Sequence, residues 1–100
     1  MSYELGMNKI VSYKDLEVWK KGMLLVTEVY SLTNSFPKDE IFGLSSQIRR
    51  AAVSIPANIA EDWGCENIKS YVQFLRVAKG SLFELETELE IAANLKYISK

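Results

Sequence analysis

A chain of 100 residues predicts one domain with a modest core. Its hydrophobic content of 48% excludes a disordered chain, and no apolar run reaches the roughly 18–20 residues that span a membrane. The net charge of −1 excludes a global attraction to nucleic acid, so RNA binding would need a local basic patch.

The first predicted elements are an irregular arm and a helix. Residues 1–14 lack a helical period, so we predict an irregular N-terminal arm followed by a bundle domain over residues 15–100. Asp15 can cap a first helix over residues 15–35. Apolar side chains recur in this helix every three or four residues, which places five of them on one helical face: Leu16, Trp19, Met23, Val26 and Tyr30.

The second predicted helix covers residues 39–63 and contains a proline. Pro37 opens it, and acidic Asp39 and Glu40 follow near its positive end. Because Pro56 lacks an N–H and its ring crowds the carbonyl of Ala52, we predict a kink at Pro56. The apolar period continues across the kink and favours one helix over two: Leu44, Ile48, Ala51, Ile55 and Ile59.

The third predicted helix covers residues 67–97, with Asn67 as its cap. Its apolar residues form a heptad seam of Tyr71, Leu75, Ala78, Leu82, Leu85, Leu89 and Ala92. Three long helices joined by short loops predict an all-α, up-and-down antiparallel bundle. Because their apolar stripes are too wide to be buried in one small chain, we also predict a homo-oligomer.

The sequence lacks the side chains of the common catalytic and metal sites. Histidine is absent and Cys65 is the single cysteine, which excludes a Cys/His zinc site within one chain and a Ser-His-Asp or Cys-His arrangement. We therefore expect no enzyme, no metal and no cofactor. The unpaired Cys65 and an N-terminus without a signal pattern predict a cytoplasmic location.

Four glutamates alternate along the third helix. Helical geometry separates them into the pairs Glu84/Glu88 and Glu86/Glu90. A di-metal bundle site also uses histidine, which is missing. We interpret these glutamates as a solvated face, with salt bridges inside the helix or between subunits as the alternative.

Four basic residues form the candidate RNA-binding patch: Arg49, Arg50, Arg76 and Lys79. Two are adjacent on the second helix, and two lie one turn apart on the third. Arginine suits phosphate. The alternative is a structural role, in which these groups pair within or between subunits with Glu61, Glu84 or Glu88.

A further group of residues is assigned to structural polar contacts or to oligomer contacts: Asn58, Glu61, Trp63, Gly80, Ser81 and Glu84. Asn58, Glu61 and Trp63 follow the predicted kink, where capping, inter-subunit hydrogen bonds and a specific contact are all open. Gly80 in mid-helix should cost about 1 kcal/mol relative to alanine. Close approach of another helix would explain this glycine, with a bound ligand as the alternative.

Three segments resemble one known family. They are residues 13–19 (YKDLEVW), residues 44–61 (LSSQIRRAAVSIPANIAE) and residues 78–89 (AKGSLFELETEL). Together they resemble the four-helix bundle proteins encoded by intervening sequences in bacterial 23S ribosomal RNA genes, over about residues 12–98. The resemblance implies an up-and-down bundle that assembles into a ring-like homopentamer. That family is also similar to the accessory protein of diversity-generating retroelements, which binds RNA and a reverse transcriptase.

The sequence departs from the family pattern in two places. The family usually has Glu-Gly-Trp-Gly-Arg where this chain has Glu61, Asp62, Trp63, Gly64 and Cys65, so an arginine is lost and the RNA interpretation of this loop is weakened. The family also continues into a fourth helix that this sequence does not contain; truncation and a naturally short chain are both open. We expect a self-assembling, non-enzymatic interaction or accessory protein, with RNA binding, linked to rRNA intervening sequences or a reverse-transcriptase system, as the alternative.

Overall fold

The computed structural model describes residues 11–64 and 67–99, and every regular element within these ranges is helical. The elements are α1 (Glu17–Thr33), α2 (Leu44–Trp63) and α3 (Ile68–Asn94), preceded or joined by the 3₁₀ turns Tyr13–Asp15 and Lys38–Glu40. α2 packs against both α1 and α3, and neighbouring helices run in opposite directions. For example, Arg49 near the start of α2 contacts Thr33 at the end of α1, and Pro56 farther along α2 contacts Gly22 near the start of α1. The prediction of an all-α antiparallel bundle is therefore confirmed. Residues 1–10 of the predicted arm lie outside the described residues.

Helix α1 begins two residues later than predicted because Asp15 does not cap it. The Asp15 carboxylate instead accepts backbone N–H groups of Val11 and Ser12, at 2.8 and 3.0 Å. These bonds close a capping box with Ser12 around the 3₁₀ turn and lower the pKa of Asp15. The N-cap of α1 is Leu16, which makes no side-chain capping bond.

Helix α2 begins at Leu44, so the prediction that it starts near residue 39 is wrong. Pro37 and the acidic residues form a separate 3₁₀ turn, and Gly43 is the N-cap of α2. Glu40 Oε1 accepts the N–H of Leu44 at 3.0 Å and thus caps α2 from outside the helix. A Cβ on Gly43 would lie 2.6 Å from this oxygen, so a larger residue here would displace the end of the Glu40 side chain from its capping position.

Pro56 lies buried inside α2, and the helix continues through it to Trp63. The prediction of one helix rather than two is therefore confirmed, while the kink angle stays a prediction. Gly22 of α1 lies directly against this proline, and a Cβ on Gly22 would be 3.2 Å from Pro56 Cβ. The pair allows α1 and α2 to approach closely, which explains a glycine in the middle of α1.

Helix α3 ends at Asn94 in a turn that the sequence did not signal. Lys96 has a positive φ of 64°, the N–H of Tyr97 donates to Ala92 O at 2.9 Å, and that of Lys96 donates to Ala93 O at 3.0 Å. This is the Schellman arrangement, with lysine where glycine is usual. It ends the helix before residue 97 and turns the chain toward Glu40.

Helix α2 lies between the other two helices and supplies most of the core. Ile48 of α2 and Leu85 of α3 are fully buried, and the core cluster also contains Val29, Phe36, Leu44, Ala51, Ala52 and Ala92. Within the described residues, α1 and α3 share no Cα pair closer than 8 Å. They are therefore separated from each other by α2. No helix in the described ranges has the length and apolar character needed to cross a membrane.

Candidate interaction surfaces

The apolar seam predicted on α3 is buried along only part of its length. Leu85 and Ala92 are buried against α2, whereas Tyr71, Leu75 and Leu82 are 47%, 40% and 40% exposed. These three residues recur at steps of four and seven, so they share a face of α3. The predicted heptad seam is therefore buried in its C-terminal half, and its N-terminal half forms an exposed apolar face.

Helix α1 presents a second exposed apolar face. Gly22 and Val29 are buried against α2, but Val18 is 56% exposed and Leu32 is 36% exposed. Leu25 lies between them on the same side of the helix but is partly buried and packs against the core, so the exposure is found toward the two ends of α1. Both α1 and α3 therefore expose large apolar side chains to solvent.

Arg49 joins α2 to the end of α1. Its Nε donates to Thr33 Oγ1 at 2.8 Å, and Nη2 donates to Asn34 Oδ1 at 3.2 Å. The guanidinium lies 4.7 Å from the ring centroid of Tyr30, within cation–π distance. These three contacts to α1 and its C-terminus indicate a structural role for Arg49. Its partners are not the glutamates that the sequence analysis considered.

Antiparallel packing does not bring the four predicted basic residues together within one chain. Ser54 of α2 is level with Ser81 of α3, so Arg50 is level with about residue 85 and Arg76 is roughly 14 Å away along the helix axis. Arg50 is exposed and donates to Ser46 Oγ at 3.2 Å. Arg76 and Lys79 are also exposed, and Lys79 Nζ lies 5.8 Å from the Phe83 ring centroid. Three of the four groups therefore face solvent, at two separate levels.

A chain of polar side chains crosses the α2–α3 contact. Asn58 Nδ2 donates to Ser54 O and Ser54 Oγ, at 2.7 and 2.9 Å, and Ser81 Oγ donates to Ser54 Oγ at 2.8 Å. Ser81 is buried and Asn58 is half-buried. These bonds fix the register of the two helices, which is one of the roles considered for Asn58 and Ser81 from the sequence.

Glu88 is the one member of the glutamate series that the solvated-face interpretation places wrongly. It is only 6% exposed, since α2 covers it, and its Oε1 has no hydrogen-bond partner in the described structure. The pKa of Glu88 is raised to about 7. Burial is the main cause, a hydrogen bond and charge repulsion from Glu84 contribute, and the positive charge of Arg50 acts in the opposite direction. Glu84 and Glu88 thus form the expected pair, and at the helix contact the Glu84 carboxyl is hydrogen-bonded to Glu88 and helps to raise the pKa of Glu88.

The remaining sequence-predicted residues lie apart from this contact. Glu61 and Trp63 occupy the last turn of α2, where both are exposed. Gly80 is exposed, and no atom lies within 4 Å of the position that a Cβ would take in the described structure. No other helix of the described residues therefore approaches Gly80, and close approach of a helix from another copy stays a prediction; the glycine with a close helix neighbour within the chain is Gly22. A glycine in the interior of a predicted helix, as Gly22 is, was the sequence signal that could have indicated the contact with Pro56.

The described residues contain no group of three or more acidic, histidine or cysteine side chains that could hold a metal ion. A comparison with curated proteins found no match to this chain. A model of the 23S rRNA-intervening sequence protein family matches residues 14–100. That range includes all three long helices, and the protein belongs to the 23S rRNA-intervening sequence protein family.

Proposed function

We propose that this protein is a non-enzymatic, self-assembling bundle that acts as an interaction or accessory factor. The observation that carries the proposal is the exposure of large apolar side chains on both α1 and α3, among them Val18, Leu75 and Leu82. Leaving one large apolar side chain in water forgoes about 1.5–3 kcal/mol, so covering several of them gives a strong drive to associate. A homopentamer is the stoichiometry that the family resemblance implies.

Light scattering coupled to size exclusion tests this proposal. We expect a defined oligomer at tens of micromolar and dissociation of the Leu75→Glu variant, because a charge would then lie on the exposed apolar face of α3. Gln73→Glu is the matched control, since it introduces the same group at an exposed polar position two residues away. A folded, monodisperse monomer of the unaltered chain at this concentration would refute self-assembly.

RNA binding is the second candidate function, and the exposure of Arg50, Arg76 and Lys79 supports it. Three phosphate contacts per subunit would make log K fall with log salt at a slope of about −2 to −3. In a ring, repetition of the patch would offset the net charge of −1 by avidity. The RNA proposal requires that Arg76→Ala with Lys79→Ala weakens binding and leaves the fold intact. An absence of RNA retention at low salt would exclude it.

A further inference from the structure

The loop before α2 carries an apolar tip, formed by Ile41 and Phe42. Ile41 is 57% exposed, and Phe42 is 94% exposed, the highest value among the exposed large apolar residues of the described chain. An aromatic side chain held in water at a loop tip is the kind of group that anchors protein contacts.

The tip is held rigidly by the turn beneath it. The N–H of Ile41 donates to Lys38 O at 3.1 Å, and that of Gly43 donates to Glu40 O at 2.9 Å. The Glu40 carboxylate is bound in turn by Leu44 N–H and by the Tyr97 hydroxyl, at 3.0 and 2.9 Å. A group that is already ordered loses little conformational entropy when it binds.

A cavity of about 320 Å³ lies at the C-terminal end of α3, and its size suits an aromatic ring. We call it the acidic pocket; its lining includes apolar Leu89, Ala93 and Ile98 and acidic Glu86 and Glu90. A cavity of roughly 150 Å³ is already enough to hold benzene. The pocket therefore offers an apolar surface for a ring and a negative rim.

The surroundings of the tip have the opposite charge. Ile41 shares a second cavity with Arg49 and Arg50, on the outer side of α1 and α2. Arg50 is exposed there, and Lys38 is exposed in the turn that precedes the tip. Asp39 and the Glu40 carboxylate beneath the tip offset part of this positive charge, so the complementarity to Glu86 comes from Arg50.

The tip and the acidic pocket lie at the same end of the bundle. The Tyr97 hydroxyl bonds Glu40 beneath the tip, while Ile98, the next residue, lines the pocket. A rotation about an axis parallel to the helices would therefore bring the tip of one copy to the level of the pocket of the next. A contact between two different surfaces, repeated by such a rotation, closes a ring.

We propose that Phe42 of one copy docks into the acidic pocket of a neighbouring copy, with Arg50 beside Glu86, and that this head-to-tail contact joins the subunits. The inference rests on the proposed self-assembly and names its surfaces. It predicts that Phe42→Glu weakens association about 30-fold or more, the effect of losing an aromatic anchor. Gln73→Glu is again the matched control, because it adds the same charged group at an exposed position of α3 away from both surfaces.

A mixing experiment tests the head-to-tail arrangement. Phe42→Glu removes the tip and keeps the pocket, whereas Ala93→Arg fills the pocket and keeps the tip. Each variant alone should be monomeric by light scattering, with unchanged helical circular dichroism, and their mixture should form a dimer through its one intact contact. If Ala93→Arg does not fold, Glu86→Arg replaces it, since Glu86 is exposed.

The outcomes separate this inference from the proposed function. An unaltered chain that is monomeric overturns both. An oligomer that survives Phe42→Glu overturns the tip-and-pocket contact and leaves self-assembly standing. Two monomeric variants that do not pair on mixing overturn the head-to-tail contact, because the two surfaces would not then meet each other.

Discussion

The buried carboxyl of Glu88 predicts that the fold becomes less stable as pH rises through neutrality. Glu88 is buried at the contact with α2 and hydrogen-bonded to Glu84, and its pKa is raised from 4.5 to about 7. A raised carboxyl pKa means that the folded state holds a proton that the unfolded state has released. Stability is therefore fully present below about pH 4.5 and is lost as pH rises through about 7.

The size of the loss follows from the width of that interval. Each pH unit over which only the folded state keeps the proton costs about 1.4 kcal/mol, so the whole interval costs about 3 kcal/mol. Replacing Glu88 with glutamine keeps the side-chain shape and a donor for Glu84 but removes the titration. We expect Glu88→Gln to match the unaltered protein at pH 5 and to exceed its free energy of unfolding by up to about 3 kcal/mol at pH 8.

Urea denaturation followed by circular dichroism, from pH 5 to pH 8 at one protein concentration, measures this difference. Glu86→Gln is the matched control, because Glu86 is an exposed glutamate on the same helix. Asp15 and Glu40, whose pKa values are lowered, contribute only at more acidic pH. An unaltered protein whose stability stays constant or rises from pH 5 to pH 8 would refute the reasoning, as would a Glu88→Gln profile parallel to it.

Three further predictions follow from the helix contacts, and each is measured as a free energy of unfolding or a denaturation midpoint. Gly80→Ala should stabilise the protein by about 1 kcal/mol, since the position is an open helix interior. Gly22→Ala should stabilise it less, because the added methyl group would lie 3.2 Å from the buried Pro56, and equal gains would contradict this. Arg49→Ala should cost about 1–3 kcal/mol through its lost bonds to α1, whereas Arg50→Ala at pH 5 should be nearly neutral; the reverse order would be inconsistent with the structure. Tyr97→Phe should lower the urea midpoint at neutral pH, and should lower it less in the acid range in which Glu40, the carboxylate that accepts its hydroxyl, becomes protonated; an equal loss throughout a titration into acid would exclude that bond.

The predicted helices were confirmed because their apolar residues repeat with a helical period that is written locally in the chain. The period across Pro56 correctly favoured one helix, and Asn67 caps α3 as expected, accepting the N–H of Ser70 at 2.9 Å. The predicted helix boundaries were less accurate where a helix is capped by residues that are distant in sequence. The start of α2 depends on Glu40 held by Tyr97, which is 57 residues away in sequence.

The sequence by itself determined that the chain forms three amphipathic helices, that no site of the Cys/His kind exists in one chain, and that Glu84 pairs with Glu88. Only the tertiary structure decided which side of each helix is covered. α2 buries Glu88, commits Arg49 to the end of α1 and leaves Phe42 in solvent. Periodicity shows that residues share a face, but burial, and with it the pKa of a carboxyl or the availability of an arginine, depends on which neighbour covers that face.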